Sequence, residues 1–340
     1  MAAGIEDVAR AAGVSTATVS RALRGLPNVN AATRRRVQDA AAELGYVASP
    51  SAASLASGRT RTIGLISPLI RRWFFANVIE GAERTLRASG FDVLLYTFDA
   101  GAPGERMRVD PEVLRRRVDG ILVVGLPLTV EEMDALRTLG LPLVCIGWGG
   151  YGQVTVRLDD RGTARAATRH LLALGHRRIA HITGAPDDVA PWSPPVERAA
   201  GWRAAMLEAG VEPSPELEGH GNFDVAGGRL ATRDLLARLP DVTAVFAASD
   251  EMAMGAVLAL RDAGRRVPQD VSVIGIDGHE LGELVGLTTM AQQADEQGAT
   301  AAQIVLDMLA GRDAPAEVVY PTVLVDRGST APASGARPGV

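Results

Sequence analysis

The spacing of apolar residues along this chain changes once, near residue 62. Before that point, in residues 5–44, apolar positions recur three and four residues apart, which is typical of helices that bury one face. After it, apolar runs such as TIGLIS, DGILVVG and VSVIGID alternate with amphipathic stretches, and such runs are typical of strands buried on both faces. The alternation predicts an α/β fold with parallel sheets covered by helices, repeated in two successive lobes. The amphipathic stretches predict helices at 76–88, 110–117, 130–139, 162–174, 196–208, 227–239 and 252–263.

Residues 4–24, GIEDVARAAGVSTATVSRALR, predict two short helices joined by a tight turn. Gly13 falls where the chain must reverse, because glycine readily adopts a positive φ, and Ser15 falls where a helix N-cap is expected. The outward positions of the second helix are Thr16, Ala17, Ser20 and Arg21. Small side chains with one arginine suit close approach to a DNA major groove. An ordinary helical hairpin with a solvated second helix is the alternative interpretation.

A third helix is predicted to start at Asn30, as its N-cap, and to end at Gly45. Its inward positions are Val37, Ala40, Ala41 and Leu44. The arginines at 34–36 fit a solvated helix face as well as a phosphate contact, and both alternatives stay open. Residues 47–62 are rich in Ser and Ala and have too little apolar surface to fold alone, so they predict a linker.

Length and composition restrict the class of protein. At 340 residues the chain exceeds what one compact core usually holds, so two or three domains are expected. No apolar run is long enough to cross a bilayer, and the first residues lack the apolar core of an export signal. We therefore expect a cytoplasmic protein without a membrane partner. The single cysteine, Cys145, allows no internal disulfide, and its apolar surroundings predict a buried strand residue.

The charge is divided unevenly along the chain. Residues 1–61 contain eight Arg and four acidic residues and so carry a net charge of +4. Because the whole chain carries −5, the remaining residues carry −9. A basic N-terminal part on an acidic body attracts phosphate at one end only. There is no lysine, which excludes Schiff-base chemistry and the lysine of a Walker phosphate-binding loop.

Several motifs in the same order resemble the LacI/GalR family of bacterial transcriptional regulators. They are IEDVARAAGVSTATVSRAL, ELGY followed by Leu55 nine residues past Tyr46, RTIGLI, LGHRRIAHITG, RAAGW, AVFAASDEMAMGA, VPQDVSVIGID, LTTM and YPTVLVDRGST. The likeness covers about residues 5–329. It implies a helix-turn-helix headpiece, a hinge, and two Rossmann-like subdomains of the periplasmic-binding-protein type. It also implies that the protein is a transcriptional regulator that binds a pseudopalindromic operator as a homodimer. We expect it to act as a repressor.

The resemblance implies five parts with three chain crossings between the subdomains. They are a headpiece at 1–47, a hinge at 48–61, an N-subdomain at 62–159 plus 291–320, a C-subdomain at 160–290 plus 321–330, and a tail at 331–340.

Matching positions in the headpiece and the hinge imply a set of DNA contacts. Those implied to read bases are Thr16, Ala17 and Arg21, and those implied to contact the DNA backbone are Ser15, Thr18, Ser20, Asn28 and Tyr46. Leu55 is implied to wedge into the minor groove; a small apolar residue in a flexible linker is its alternative. The hinge departs from the family pattern at Ala48, Ser49, Ala53 and Ala56, two of which replace basic residues. We expect the loss of two cations to weaken salt-dependent binding.

Matching positions in the two lobes imply a small-molecule effector site. Its residues are Phe74, Phe75, Trp148, Trp192, Ser193, Arg198, Phe223, Ser249 and Asp277. Aromatic rings beside one arginine and one carboxylate suit a polyhydroxylated or flat molecule, so a sugar is expected, with a purine or another metabolite as alternatives. Ser249, Gly278 and Ala294 depart from common family residues, which leaves room for a ligand larger than a hexose. No metal and no cofactor is expected.

The sequence fits two other classes of protein less well. An enzyme would need more than the GWGGYG run at 147–152, which is followed by a strand rather than a helix and lacks the usual acidic residue further on. The histidines at 170, 176 and 181 have no metal-ligand spacing. A sugar-binding transport protein shares the two-lobed body but would carry an export signal instead of the headpiece.

Overall fold

The computed structural model describes residues 3–23, 25, 27–46, 59–97, 109–126, 128–148, 152–184 and 193–333. These residues form two compact units, one made of residues 1–62 with 116–119 and the other of residues 63–115 with 120–340, within the described ranges. Leu55, Trp192 and the hinge positions 48, 49, 53 and 56 lie outside the described residues.

The first unit contains three helices: α1 at Ile5–Ala12, α2 at Thr16–Leu23 and α3 at Ala31–Glu43. They pack around a small apolar core formed by Val8, Ala9, Ala12, Val19, Ala22, Val37, Ala40 and Ala41. Local chemistry sets the start of α3, where Asn30 Oδ1 accepts a hydrogen bond from the backbone N–H of Thr33 at 2.7 Å. The predicted N-cap at Asn30 is therefore confirmed.

The second unit contains two sheets of six strands each. The first sheet has the strand order β11-β5-β4-β3-β1-β2. Its strands are β1 (Thr62–Ser67), β2 (Asp92–Thr97), β3 (Gly120–Val124), β4 (Leu143–Ile146), β5 (Val154–Leu158) and β11 (Glu317–Tyr320). With these strands go helices α4 (Trp73–Ala88), α5 (Val130–Arg137) and α10 (Ala294–Leu309). We call this sheet and its helices the first lobe; its core lies where α4 and α10 cover apolar strand residues.

The second sheet has the order β12-β10-β9-β8-β6-β7. Its strands are β6 (Ile179–Thr183), β7 (Glu218–His220), β8 (Ala244–Ala247), β9 (Ser272–Asp277), β10 (Thr288–Ala291) and β12 (Val323–Val325). Helices α6 (Asp160–Ala173), α7 (Pro194–Glu208), α8 (Val225–Arg238) and α9 (Asp250–Asp262) pack on it and complete the second lobe. Every strand pair whose register the described residues give is parallel, except that the edge strand β12 runs antiparallel to β10. The α/β fold with two successive lobes is confirmed, with this antiparallel edge as a correction.

Two local predictions were wrong. The helix predicted at 110–117 is only a 3₁₀ turn at Pro111–Val113, because the chain leaves the helical region at Arg116, whose φ is 59°. Leu44 was predicted to face inward but is 40% exposed, because α3 ends at Glu43 and Gly45 turns the chain with a φ of 61°. Tyr46 packs against the headpiece core instead.

Cys145 is buried in β4, as its apolar surroundings predicted, and burial raises the pKa of its thiol to about 12. Within the described ranges, no helix combines the length and the apolar character needed to cross a membrane.

Candidate functional site

The turn between α1 and α2 follows from two side-chain properties. Gly13 adopts a φ of 62°, in the left-handed region that favours glycine. Ser15 Oγ accepts a hydrogen bond from the backbone N–H of Thr18 at 3.2 Å, so Ser15 caps α2 as predicted. The two helices are therefore fixed as a helix-turn-helix by local interactions.

One face of α2 is exposed, and the opposite face is buried. Thr16, Ala17 and Arg21 are exposed, whereas Val19 and Ala22 on the opposite face are buried in the headpiece core. Ser20 is half-buried and so contributes only part of its surface. A helix that presents short side chains and a guanidinium can approach base edges closely.

The other positions implied to contact the DNA backbone differ in their exposure. Asn28 is exposed and adopts a φ of 72°, which asparagine tolerates better than most residues. Thr18 and Tyr46 are half-buried. Arg36 donates from Nε to the backbone carbonyl of Ala12 at 3.1 Å, so this arginine stabilises the C-terminus of α1, as cations at that end do.

The second unit holds a cavity of about 230 Å³ between its lobes. Its walls come from residues just beyond the carboxyl ends of the strands, where parallel sheets usually bind ligands. Of the nine residues implied to bind an effector, those that line it are Phe74, Phe75, Trp148, Ser193, Arg198, Phe223, Ser249 and Asp277. The structure therefore brings together eight positions that span 200 residues of sequence; the ninth, Trp192, is outside the described residues.

Two glycines allow the aromatic rings of α4 to reach the strand ends. A Cβ atom at Gly125 would lie 2.5 Å from the ring of Phe75, and one at Gly147 would lie 2.9 Å from the ring of Phe74. The two rings meet edge to face, with centroids 5.5 Å apart and an angle of 78° between their planes. This arrangement places apolar ring surface on one side of the cavity.

A buried ion pair contributes polar groups to the cavity wall. Arg198 Nε lies 2.7 Å from Asp160 Oδ1, and Arg198 Nη1 also donates to the carbonyl of Ala248. Burial raises the pKa of Asp160, and the attraction of Arg198 opposes that rise. Because a guanidinium has five N–H groups, Arg198 keeps donors for a ligand after making these two contacts.

Asp277 is the carboxylate of a second polar group. Its Oδ1 accepts from Gln292 Nε2 at 2.7 Å, and Gln297 Nε2 in turn donates to Gln292 Oε1 at 2.9 Å. Burial, and then the neighbouring carboxylate of Asp250, raise the pKa of Asp277. Asp277 also has a φ of 139°, a strained conformation that is typical of binding sites for a residue other than glycine.

The cavity is also lined by residues that were not predicted from the sequence. They are Leu69, Arg72, Gly125, Gly147, Leu158, Asp160, Pro194, Pro195, Asn222, Glu251, Gln292 and Gln297. Asp160 was detectable, since it follows β5 almost directly and polar residues at that edge are candidates by rule. The two glutamines had no comparable local signal.

A helix-turn-helix unit and a two-lobed α/β body with a central cavity together define a class, the regulators that combine DNA binding with small-molecule binding. Comparisons with known proteins agree. Residues 4–49 match the family model of bacterial regulatory proteins, lacI family, and residues 168–330 match that of a periplasmic binding protein-like domain.

Several known proteins are similar to this chain over nearly its whole length. The transcriptional regulator CelR of Thermobifida fusca is 37% identical over 96% of this chain and 97% of its own, and the transcriptional repressor PurR of Vibrio atlanticus is 35% identical over 92% and 93%. The structure of a CelR–cellobiose complex matches 96% of this chain and 99% of its own with a TM-score of 0.71 and 35% identity. The lac repressor dimer bound to operator and an anti-inducer matches 97% and 100% with a TM-score of 0.84 and 26% identity.

The chain belongs to the LacI family of transcriptional regulators, as its motifs indicated. These relatives are named as transcriptional regulators and not as enzymes, so a regulator is favoured over an enzyme.

Proposed function

We propose that this protein is a repressor whose grip on operator DNA is changed by a small molecule held between its lobes. The observation that carries the proposal is the cavity that aromatic rings line together with the Arg198–Asp160 pair and Asp277. The exposed face of α2 would recognise the operator bases. Relatives that are named repressors support repression rather than activation. Because it acts on DNA, we place the protein in the cytoplasm.

A sugar is the ligand class that we propose. Ring faces such as those of Phe74 and Phe75 cover the apolar face of a sugar, while Arg198 and Asp277 match its hydroxyl groups. One similar structure is that of a CelR–cellobiose complex, so cellobiose is the first molecule to test. Purines are the second class to test, because a flat ring system also stacks on aromatic side chains.

On DNA, we propose that a homodimer binds a pseudopalindromic operator. Thr16, Ala17 and Arg21 would read bases, while residues around them fix register on the phosphates. Leu55 would wedge into the minor groove between the half-sites. The lac repressor dimer bound to its operator, a similar structure, supports this arrangement.

We also propose the five-part division given by the family resemblance. Its N-subdomain would comprise 62–159 with 291–320, and its C-subdomain 160–290 with 321–330. The position of β11 beside β5, and of β12 beside β10, supports this division. Lobes joined by three chain segments can rotate on binding a ligand, which is the motion that would couple the cavity to DNA.

A thermal-shift screen with cellobiose, other sugars and purines tests the ligand site. A ligand present at 100 times its dissociation constant stabilises the folded state by about 2.7 kcal/mol, so a true ligand gives a clear shift. We expect Arg198→Ala to abolish that shift. A molecule that still stabilises the Arg198→Ala variant would show that the ligand site lies elsewhere.

A mobility-shift titration with genomic duplexes tests the regulatory role. We expect the effective ligand to change operator affinity by about 5- to 150-fold, the usual range of allosteric coupling. Leu55→Ala should abolish tight operator binding and leave the thermal shift intact, since it removes only the minor-groove wedge. A protein that binds no duplex at low salt, with or without these ligands, would contradict the proposed function.

A further inference from the structure

Two adjacent residues at the start of α4, in the first lobe, contact the second lobe. Arg72 Nη1 donates to the backbone carbonyl of Phe223, and Arg72 Nη2 lies 3.0 Å from Asp224 Oδ2. The carboxylate of Glu251 is 3.7 Å from Arg72 Nη1. One guanidinium therefore holds three groups of the other lobe.

Trp73 makes a second connection beside the first. Its Nε1 donates to Glu280 Oε2 at 2.7 Å, and its ring stacks on that of His279 with centroids 5.8 Å apart. Arg72 and Trp73, which we call the interlobe clamp, thus grip the second lobe at both the β7–α8 turn and the segment after β9.

The guanidinium of Arg72 is partly shielded from water, unlike the cation of an ordinary surface ion pair. The side chain of Asp224 is 39% exposed, whereas those of Arg72 and Glu251 are only 15% and 19% exposed. Charged groups in such surroundings are screened less by salt and solvent than exposed ones are. Burial raises the pKa of Glu251, while the nearby Arg72 opposes the rise.

The carbonyl that Arg72 holds belongs to an unusual turn. Asn222 and Phe223 adopt φ values of 52° and 56°, and a bulky residue such as phenylalanine rarely takes this left-handed conformation. Such backbone persists only where its surroundings hold it in place. The turn sets the position of the Phe223 ring, which lines the cavity. The ring lies so close to Gly184 that a Cβ atom on Gly184 would be 2.6 Å from the ring.

We propose that Arg72 is a positioning residue for the cavity, and that the interlobe clamp holds the two lobes closed through protein groups alone. Arg72 would fix the Asn222–Phe223 turn from across the cleft and so present the Phe223 ring to a ligand. This proposal rests on the proposed function for its ligand but not for the contacts themselves. A ligand would then meet a cleft that is already closed in most molecules, and would bind more tightly for that reason.

Spin-label distances test the clamp without any ligand or operator. Labels at Val130→Cys in α5 and Ala237→Cys in α8, both exposed positions, report the separation of the lobes in a Cys145→Ser background. Labelled chains are diluted with unlabelled protein so that each distance is measured within one chain. We expect Arg72→Met to broaden the distance distribution about twofold toward longer distances, as released lobes sample open states. The matched control is Arg71→Met, an exposed neighbour, which should leave the distribution unchanged.

A second variant guards against a general folding defect. Trp73→Phe keeps a ring for stacking on His279 and loses only the bond to Glu280, so it should broaden the distribution less than Arg72→Met does. If both variants keep the distribution of the unaltered clamp, the contacts do not hold the lobes and the proposal is overturned.

Calorimetric titration with cellobiose tests the positioning role. If the closed population falls to about a tenth, apparent affinity should fall about tenfold in Arg72→Met, with partial recovery in Arg72→Lys. Equal affinity in Arg72→Met and the parent protein would overturn the positioning role. Failure of the parent protein to bind cellobiose contradicts that ligand and not the clamp, which the spin-label distances then decide alone.

Discussion

Arg198 and Asp160 form an ion pair whose side chains are only 8% and 9% exposed. Bringing both charges out of water is costly, and the attraction between them offsets much of that cost only while both are present. Both side chains line the cavity, so the pair also fixes the position of the Arg198 guanidinium at the cavity wall. Each member of the pair therefore needs the other in order to stay buried as a charged group.

Arg198→Met should lower the free energy of unfolding by about 3–5 kcal/mol, because it leaves the Asp160 carboxyl buried without its partner. Adding Asp160→Leu should recover most of that loss without restoring the ligand-induced thermal shift. Urea unfolding of both variants measures this. The control is Arg203→Met, which removes a more exposed pair with Glu218 and should change stability by about 1 kcal/mol or less. A parent-like midpoint for Arg198→Met alone would refute the account of the pair.

At the scale of elements, α4 and α10 approach until their backbones nearly touch. A Cβ at Gly81 would lie 1.9 Å from the carbonyl oxygen of Asp295, and one at Gly298 would lie 2.0 Å from that of Val78. Glycine in a helix interior costs about 1 kcal/mol of stability relative to alanine. The close packing of the two helices, which only glycine allows, offsets that cost. The contact anchors the helix that carries Phe74 and Phe75.

Gly298→Ala should therefore destabilise the protein by about 1–3 kcal/mol, although alanine is the better helix former. The added methyl group meets backbone atoms, which cannot move aside as a flexible side chain can. Thermal or urea unfolding checks this against Glu80→Ala, a change on the exposed face of α4 that should stay within about 0.5 kcal/mol. A gain in stability for Gly298→Ala would show that the helices are further apart.

At the scale of the whole molecule, an acidic body carries exposed leucines on two neighbouring segments. Leu258 on α9 and Leu281 and Leu284 on the neighbouring 3₁₀ segment Glu280–Val285 are 36%, 50% and 80% exposed. Exposed apolar side chains on neighbouring segments are candidates for an interaction site. A second copy of the chain is the partner that the proposed operator symmetry requires.

Leu281→Glu combined with Leu284→Glu should convert the proposed dimer to monomers, because like charges would then face each other across the two-fold axis. Operator affinity should fall by about 100-fold or more, since two linked headpieces bind far better than one. Sedimentation and mobility-shift titrations measure the two effects. Leu207→Glu, a change at a 55% exposed leucine on α7, is the control that should leave the dimer intact. A double variant that still sediments as a dimer would place the interface elsewhere.

Much of the fold was predictable because its signals are local. Ser15 and Asn30 cap helices through hydrogen bonds to N–H groups three residues away, and Gly13 turns the chain by its own φ. Predictions from spacing alone were wrong where a single backbone angle ends an element, as at Arg116 and just after Leu44. Positions implied to line a ligand site came from resemblance, and the cavity gathers all of them that the structure describes.

The sequence by itself determined the alternation of strands and helices, the helix-turn-helix and the uneven charge, because each depends on neighbours within a few residues. Tertiary structure alone decided the pairing of Arg198 with Asp160, the approach of Gly81 to Asp295, and the grip of Arg72 on the Phe223 carbonyl. These partners are 38 to more than 200 positions apart in the chain. Their meeting depends on how the chain passes between the two sheets, and no periodicity or spacing in the sequence encodes that path.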